Sequence, residues 1–193
     1  MRHLIDTYLR AEESEKISAF DYMTLIRMIV ERGTDAVNVL PEGIRKNEEA
    51  VAETIENNVR KLIIDEMPIN PKYYEKMSEL LDALIEQRRK GALDYQKYLA
   101  EIVALTRKAD NPGGATAYPS SMDSSAKRAL YDNLNNNEAL ANAVDYTVRT
   151  TCKDDWRGHK VKEKEIKYAV RSVLQDDELT ERIFDLVKNQ RDY

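Results

Sequence analysis

From Asn47 to Met67 the chain runs NEEAVAETIENNVRKLIIDEM, 21 residues without a glycine or proline. The apolar side chains Val51, Ile55, Val59 and Leu62 recur three and four residues apart. Only an α-helix gathers residues at that spacing on one surface; a strand would need alternation by two. Asn47 supplies an N-cap, and the acids behind it favour the positive end of the helix dipole. The same logic covers most of the sequence, because six glycines and five prolines in 193 residues gather at a few breaks. The expected fold class is therefore all-α, with an extended helical bundle or hairpin followed by a compact C-terminal helical unit.

Pro68 and Pro71 end the first long helix, and Asn70 with Pro71 start the next. Its inward stripe is Tyr73/Tyr74, Met77, Leu80/Leu81, Leu84 and Ile85, and Arg88, Arg89 and Lys90 occupy its last turn. Gly91 is either its stop or a weak point within one very long helix, since an interior glycine costs about 1 kcal/mol. A third stripe follows at Tyr95, Tyr98/Leu99, Ile102 and Val103/Leu105. Before Asn47, two shorter helices are predicted, around His3 to Glu12 and from Phe20 to Arg32, the second ended by Gly33.

Residues 109–121 (ADNPGGATAYPSS) carry two prolines and two glycines and no apolar period. The expected organisation is a helical lead-in over 1–46, a long-helix bundle over 47–110, a Pro/Gly linker over 111–121 and a C-terminal unit over 122–193. In that last unit Asp123 or Ser124 caps a short helix through Tyr131. The asparagines 135–137 introduce a second, with Leu140, Val144 and Val148 inward. Helices over Lys162 to Leu174 and from Glu178 to about Lys188 follow.

Cys152 is the single cysteine, and no charged-apolar-small leader precedes the first helix, so a reducing, cytoplasmic setting is expected. The longest mostly apolar stretch, Phe20 to Val30, contains Asp21 and Arg27 and is too short to cross a bilayer, so no membrane partner is expected. A net charge of -5 gives no global positive field, and any nucleic-acid contact must be local.

The residues offer little catalytic material. His3 and His159 lie at opposite ends of the chain with no zinc-site spacing around either. Cys152 has no histidine nearby and reads as a small hydrophobe at a helix end. Gly113-Gly114 lacks the strand and the Lys-Ser/Thr of a phosphate loop. Glu165-Ile166-Lys167 spells the E-x-K of metal-dependent nucleases but falls mid-helix, and Asp154-Asp155 reads as a solvated turn. Neither a catalytic residue, nor a cofactor site, nor a metal site is assigned.

One charge asymmetry stands out. Between Arg149 and Arg171 eight basic residues (Arg149, Lys153, Arg157, Lys160, Lys162, Lys164, Lys167, Arg171) oppose four acids. The alternative function is a helical duplex-DNA-binding domain that uses this patch, with Arg149, Arg157, Lys160, Lys162, Lys164, Lys167 and Arg171 as the candidate DNA contacts and Trp156 and His159 among them.

The segment SSAKRALYDNLNNNEALANAVDYTVRTTCKDDWRGHKVKEKEIKYAVRSVL and the ending LVKNQRDY closely resemble the carboxyl-terminal region of the R subunit of type I restriction-modification enzymes. The pattern includes Lys127 to Tyr131, Asp154 to Arg157, Glu165 to Val170, and Asn189-Gln190 before Asp192-Tyr193. Residues 50–66, Asn70-Pro71 and YYEKMSELLDALIEQRR resemble the helical region before that terminus, and MRHLIDTYLRAEESEKISAFDYMTLI resembles the stretch leaving the second motor domain. The resemblance spans nearly the whole chain.

It implies a parent subunit with a Mg²⁺-dependent nuclease domain, two ATP-hydrolysing motor domains and a helical region that docks on the methyltransferase and specificity subunits. This chain matches only the last part. The resemblance therefore implies a non-enzymatic piece that needs no cofactor, while ATP and Mg²⁺ serve the parent. Aromatic residues are favoured interface anchors. Of Tyr73, Tyr74, Tyr95, Tyr98, Tyr118, Trp156 and Tyr193, helical spacing buries Tyr73 or Tyr74 and Tyr98; the candidate docking residues are Trp156, which reads as a core or interface anchor, and Tyr193 at the C-terminus.

Overall fold

The computed structural model describes residues 22–115 and 118–193. The helix expected around His3 to Glu12 lies outside them. The described residues form α1 (Tyr22–Arg32), a 3₁₀ helix (Gly33–Val39), α2 (Glu42–Arg45), α3 (Glu48–Glu66), α4 (Pro71–Arg89), α5 (Tyr95–Asp110), α6 (Pro112–Ala115), α7 (Ser125–Asn133), α8 (Glu138–Thr151), α9 (Lys160–Leu174) and α10 (Asp177–Asn189). The chain is all-α in class, with no strand among the described residues. None of the described helices is long and apolar enough to cross a membrane.

Local chemistry sets most helix starts. The Asn47 side chain accepts from the amides of Glu49 and Ala50, Asn70 from Tyr73, Asp94 from Lys97, Ser124 from Lys127, Asn137 from Leu140 and Asp176 from Leu179. Each satisfies a donor that the first turn cannot pair internally. Gly91 is a true stop. It adopts φ +66°, its amide donates to Arg88 O at 2.9 Å, and the Ala92 amide donates to Gln87 O at 3.0 Å. That pair of reversed bonds closes α4 and needs a left-handed residue, which glycine adopts without a Cβ penalty.

The N-terminal core is built by α1, α3, α4 and α5. Leu25, Ile26 and Ile29 of α1 join Val51, Ile55, Val59, Leu81, Tyr98 and Ile102 in it, so the lead-in shares the core of the long helices. Gly33 ends α1 but begins a 3₁₀ helix that the sequence did not suggest. Both Tyr73 and Tyr74 are buried, edge to face at 5.3 Å, and so is Tyr98. Their hydroxyls need partners once away from water. Tyr73 donates to Lys108 O at 2.8 Å and Tyr74 to Ala109 O at 3.0 Å, capping carbonyls in the last turn of α5. Tyr98 donates to Glu56 Oε1 at 2.8 Å.

Glu56 also receives Arg88 Nε at 2.9 Å, and Arg88 Nη1 reaches Glu49 at 2.6 Å. The Arg88 guanidinium lies 5.4 Å over the Tyr98 ring. Burial opposes the charge on Arg88, but its hydrogen bonds to Glu49 and Glu56 outweigh that and hold it protonated. Burial, reinforced by Glu56, likewise keeps the Tyr98 phenol protonated.

The C-terminal core gathers α7, α8, α9 and α10 around Leu130, Val144, Val148, Ile166, Val170 and Ile183. The two cores meet through α4 and α7. At the joint, the Asn70 amide donates to Asp132 Oδ2 at 2.7 Å while its oxygen accepts from Asn133 Nδ2 at 2.9 Å. Tyr118 donates to the same Asp132 oxygen at 2.7 Å. Gln190 Nε2 donates across to Ile69 O at 2.6 Å. The segment between the units is thus tied down at Tyr118 and contains the helical turn α6.

Removing one partner of a buried ion pair strands the other charge, which typically costs about 3 kcal/mol or more. Arg88→Ala is expected to lower unfolding free energy by about that amount in urea titrations, whereas Lys46→Ala, which breaks an exposed pair with Glu42, is expected to change it by under about 1 kcal/mol.

Candidate functional site

The two candidate docking residues belong to the C-terminal core. Trp156 is 3% exposed and packs against Phe184 with ring centroids 6.3 Å apart. Its indole Nε1 finds no hydrogen-bond partner among the described residues, so packing of the ring rather than a polar contact at Nε1 holds it inward. Tyr193 is half-buried, and its hydroxyl donates to Asp145 Oδ1 at 2.8 Å. Burial, with Asp145 beside it, pushes that phenol's pKa upward. These aromatics anchor the C-terminal unit to itself, which for Trp156 is the core side of the two roles its sequence setting allows.

The basic stretch divides into two groups. Arg157 turns its whole guanidinium onto the chain end: Nε donates to Lys188 O at 2.9 Å, Nη1 to Tyr193 O at 2.7 Å, and Nη2 to Gln190 O. Its guanidinium also lies 4.6 Å over the Trp156 ring. Arg149 binds the Asp145 carboxylate at 3.0 Å and stacks 5.1 Å over Tyr193. Lys162 Nζ donates to Asp154 O at 2.6 Å, and Lys153 pairs with Glu165 at 2.6 Å. Arg149, Arg157 and Lys162, three of the seven candidate DNA contacts, therefore have internal tasks.

The remaining four, Lys160, Lys164, Lys167 and Arg171, are spaced by four, three and four residues along α9, which sets them in one stripe. Ile166 and Val170 of the same helix are buried, and the stripe lies away from them. Val161 and Tyr168, seven residues apart, run beside it at 61% and 62% exposure. Lys167 pairs with Glu181 and Arg171 Nε with Asp177 at 2.6 Å, both across to α10. Such exposed pairs contribute little to stability and are screened by salt. Lys160 and Lys164 have no acid partner among the described residues. Lys164, Lys167, Tyr168 and Arg171 line a hollow of about 330 Å³ that Asp177, Thr180 and Glu181 close on the α10 side.

Local geometry positions this face. The His159 ring nitrogen accepts the Lys162 amide at 3.5 Å as the N-cap of α9. The Gly158 amide and the Lys188 ammonium hold the Glu163 carboxyl below the usual range, so the start of α9 is bound to the end of α10 by an ionised group. At the other end Gln175 takes φ +54° and closes the helix.

The other motifs resolve into structure. In Glu165-Ile166-Lys167 the isoleucine is core and the flanking charges pair with Lys153 and Glu181. Asp155 takes a left-handed turn before Trp156. Burial raises the pKa of the Cys152 thiol, away from reactivity. Gly113 and Gly114 lie in α6, and a Cβ on Gly113 would meet the Arg128 guanidinium at 2.3 Å. No group of three or more His, Cys, Asp or Glu with metal-binding geometry occurs among the described residues. Sequence reasoning passed over Tyr146, 71% exposed on α8, and Tyr168, although helical spacing from Val144/Val148 and Ile166/Val170 signals both as outward.

Arg157→Ala removes three charge-assisted hydrogen bonds to the chain end and is expected to cost about 2 kcal/mol, read by chemical denaturation, with Lys160→Ala neutral in the same assay. Comparison of the chain with family models, with curated proteins and with solved structures finds no match.

Proposed function

We propose that this chain is a non-catalytic assembly module of a type I restriction enzyme R subunit, which joins the motor and nuclease parts of a cytoplasmic parent to the methyltransferase and specificity subunits. In the parent, ATP and Mg²⁺ serve domains that this chain does not resemble. The sequence resemblance is the source of the reading. The observation that supports it is the placing of large apolar side chains: Tyr146, Val161 and Tyr168 stand exposed on α8 and α9 while Trp156, Tyr98, Tyr73 and Tyr74 are buried. Exposed aromatics on a well-packed helical frame are the residues that carry binding energy when a partner covers them.

The test is retention of purified methyltransferase and specificity subunits on the immobilised 193-residue chain. Tyr146→Glu is expected to reduce retention at least tenfold without changing the thermal melt, because the side chain is 71% exposed. A wild-type chain that retains neither subunit removes the reading.

A second reading, contact with DNA, is favoured by the Lys160, Lys164, Lys167 and Arg171 stripe. Phosphate contacts release counterions, so affinity falls steeply with salt. Charge reversal of Lys160, Lys164 and Lys167 together is expected to weaken DNA binding at low salt and to flatten the plot of log K against log salt by roughly one unit per lysine that contacts phosphate. Unchanged affinity and slope would exclude this face as the contact.

A further inference from the structure

We propose that the outward face of α9 takes single-stranded DNA, with an unpaired base stacked on Tyr168 and the flanking phosphates held by Lys164 and Arg171. This rests on the DNA-contact reading and specifies which form of DNA the face selects.

Tyr168 stands on the solvent side of α9. It lies four residues after Lys164 and three before Arg171 on the exposed stripe, so the cations stand about 6 Å and 4.5 Å from it along the helix axis. The ring is 62% exposed, and its hydroxyl has no hydrogen-bond partner among the described residues. The buried tyrosines of this protein differ: Tyr73, Tyr74 and Tyr98 each place the ring in a core and the hydroxyl on an acceptor. Tyr168 is left exposed to solvent, between two cations in the helix sequence.

A duplex offers such a face nothing. Its base faces are stacked on one another and its exterior is phosphate, which cations alone satisfy. An unpaired strand exposes base faces and phosphates together, and aromatic rings interleaved with Lys and Arg are the arrangement that meets both. The hollow beside the ring supplies space for the stacked base. Asp177 and Glu181 border it, so a strand that occupies it exchanges the Arg171–Asp177 and Lys167–Glu181 pairs for phosphate. Arginine favours that exchange because its planar fork binds phosphate through two parallel hydrogen bonds.

The test is fluorescence anisotropy with the 193-residue chain, a labelled 20-nucleotide single strand and the blunt duplex of the same sequence, at 50 and 200 mM salt. The single strand is expected to bind more tightly than the duplex. Tyr168→Ala is expected to weaken single-strand binding roughly tenfold and leave duplex binding unchanged, with Tyr168→Trp restoring the single-strand affinity. Lys164→Glu is expected to weaken both. Tyr168→Ala with undiminished single-strand affinity, alongside a Lys164→Glu loss, overturns the stacking proposal and leaves the phosphate reading standing. Tighter binding of the duplex overturns it in the same way. Absence of salt-sensitive binding to either DNA removes both.

Discussion

Asn70 sits where the two hydrophobic cores meet, and the arrangement of the chain depends on the hydrogen bonds made there. A buried amide that finds no donor or acceptor partner loads its desolvation cost on the fold. Here the partners come from both sides: its own helix start supplies the Tyr73 amide, and α7 supplies Asp132 and Asn133. The side chain is satisfied only when the units are docked. Asp132 depends on it in turn, since burial raises its pKa while Asn70 and Tyr118 offset part of that cost by hydrogen bonding to the carboxylate. Gln190 adds a second crossing to Ile69, so the chain end and the start of α4 are fixed together.

The chain end organises the C-terminal unit in a similar way. Its carbonyls are collected by Arg157, its last ring is held between Arg149 and Asp145, and the Asp192 carboxylate caps the Ala126 amide in the first turn of α7. Arginines that look like a ligand-binding patch in sequence thus tie α8 and the turn after it to the end of α10 and the residues that follow it. What they leave behind is a narrower and better-defined surface: four cations on one stripe of α9, with Tyr168 and Val161 beside it.

That surface is separated from the buried network of Glu56, Arg88 and Tyr98, which lies in the other core. Charge is used differently in the two places. In the N-terminal core the ionic groups pair with one another and are shielded from solvent. On α9 the pairs lie exposed, where water and salt weaken them.

Helix positions were legible because their causes are local. Periodicity and capping residues are set within a few positions of one another, so Asn47, Asn70, Ser124 and Asn137 announced their helices, and Gly91 announced its stop. The 3₁₀ turn after Gly33 carried no such signal. The candidate site was only partly legible. The charge excess over 149–171 was visible, but whether a given cation faces water depends on acceptors far along the chain: Arg157 on carbonyls 31 to 36 residues away, Arg149 on one 43 away. The burial of Trp156 has the same kind of cause, because Phe184, the ring it packs against, lies on α10. By itself the sequence determined the all-helical class and most helix boundaries, through short-range sterics and hydrogen bonding. Only the tertiary structure decided which charges and rings were consumed in holding the fold and which stayed outside, because burial is a property of the packed whole.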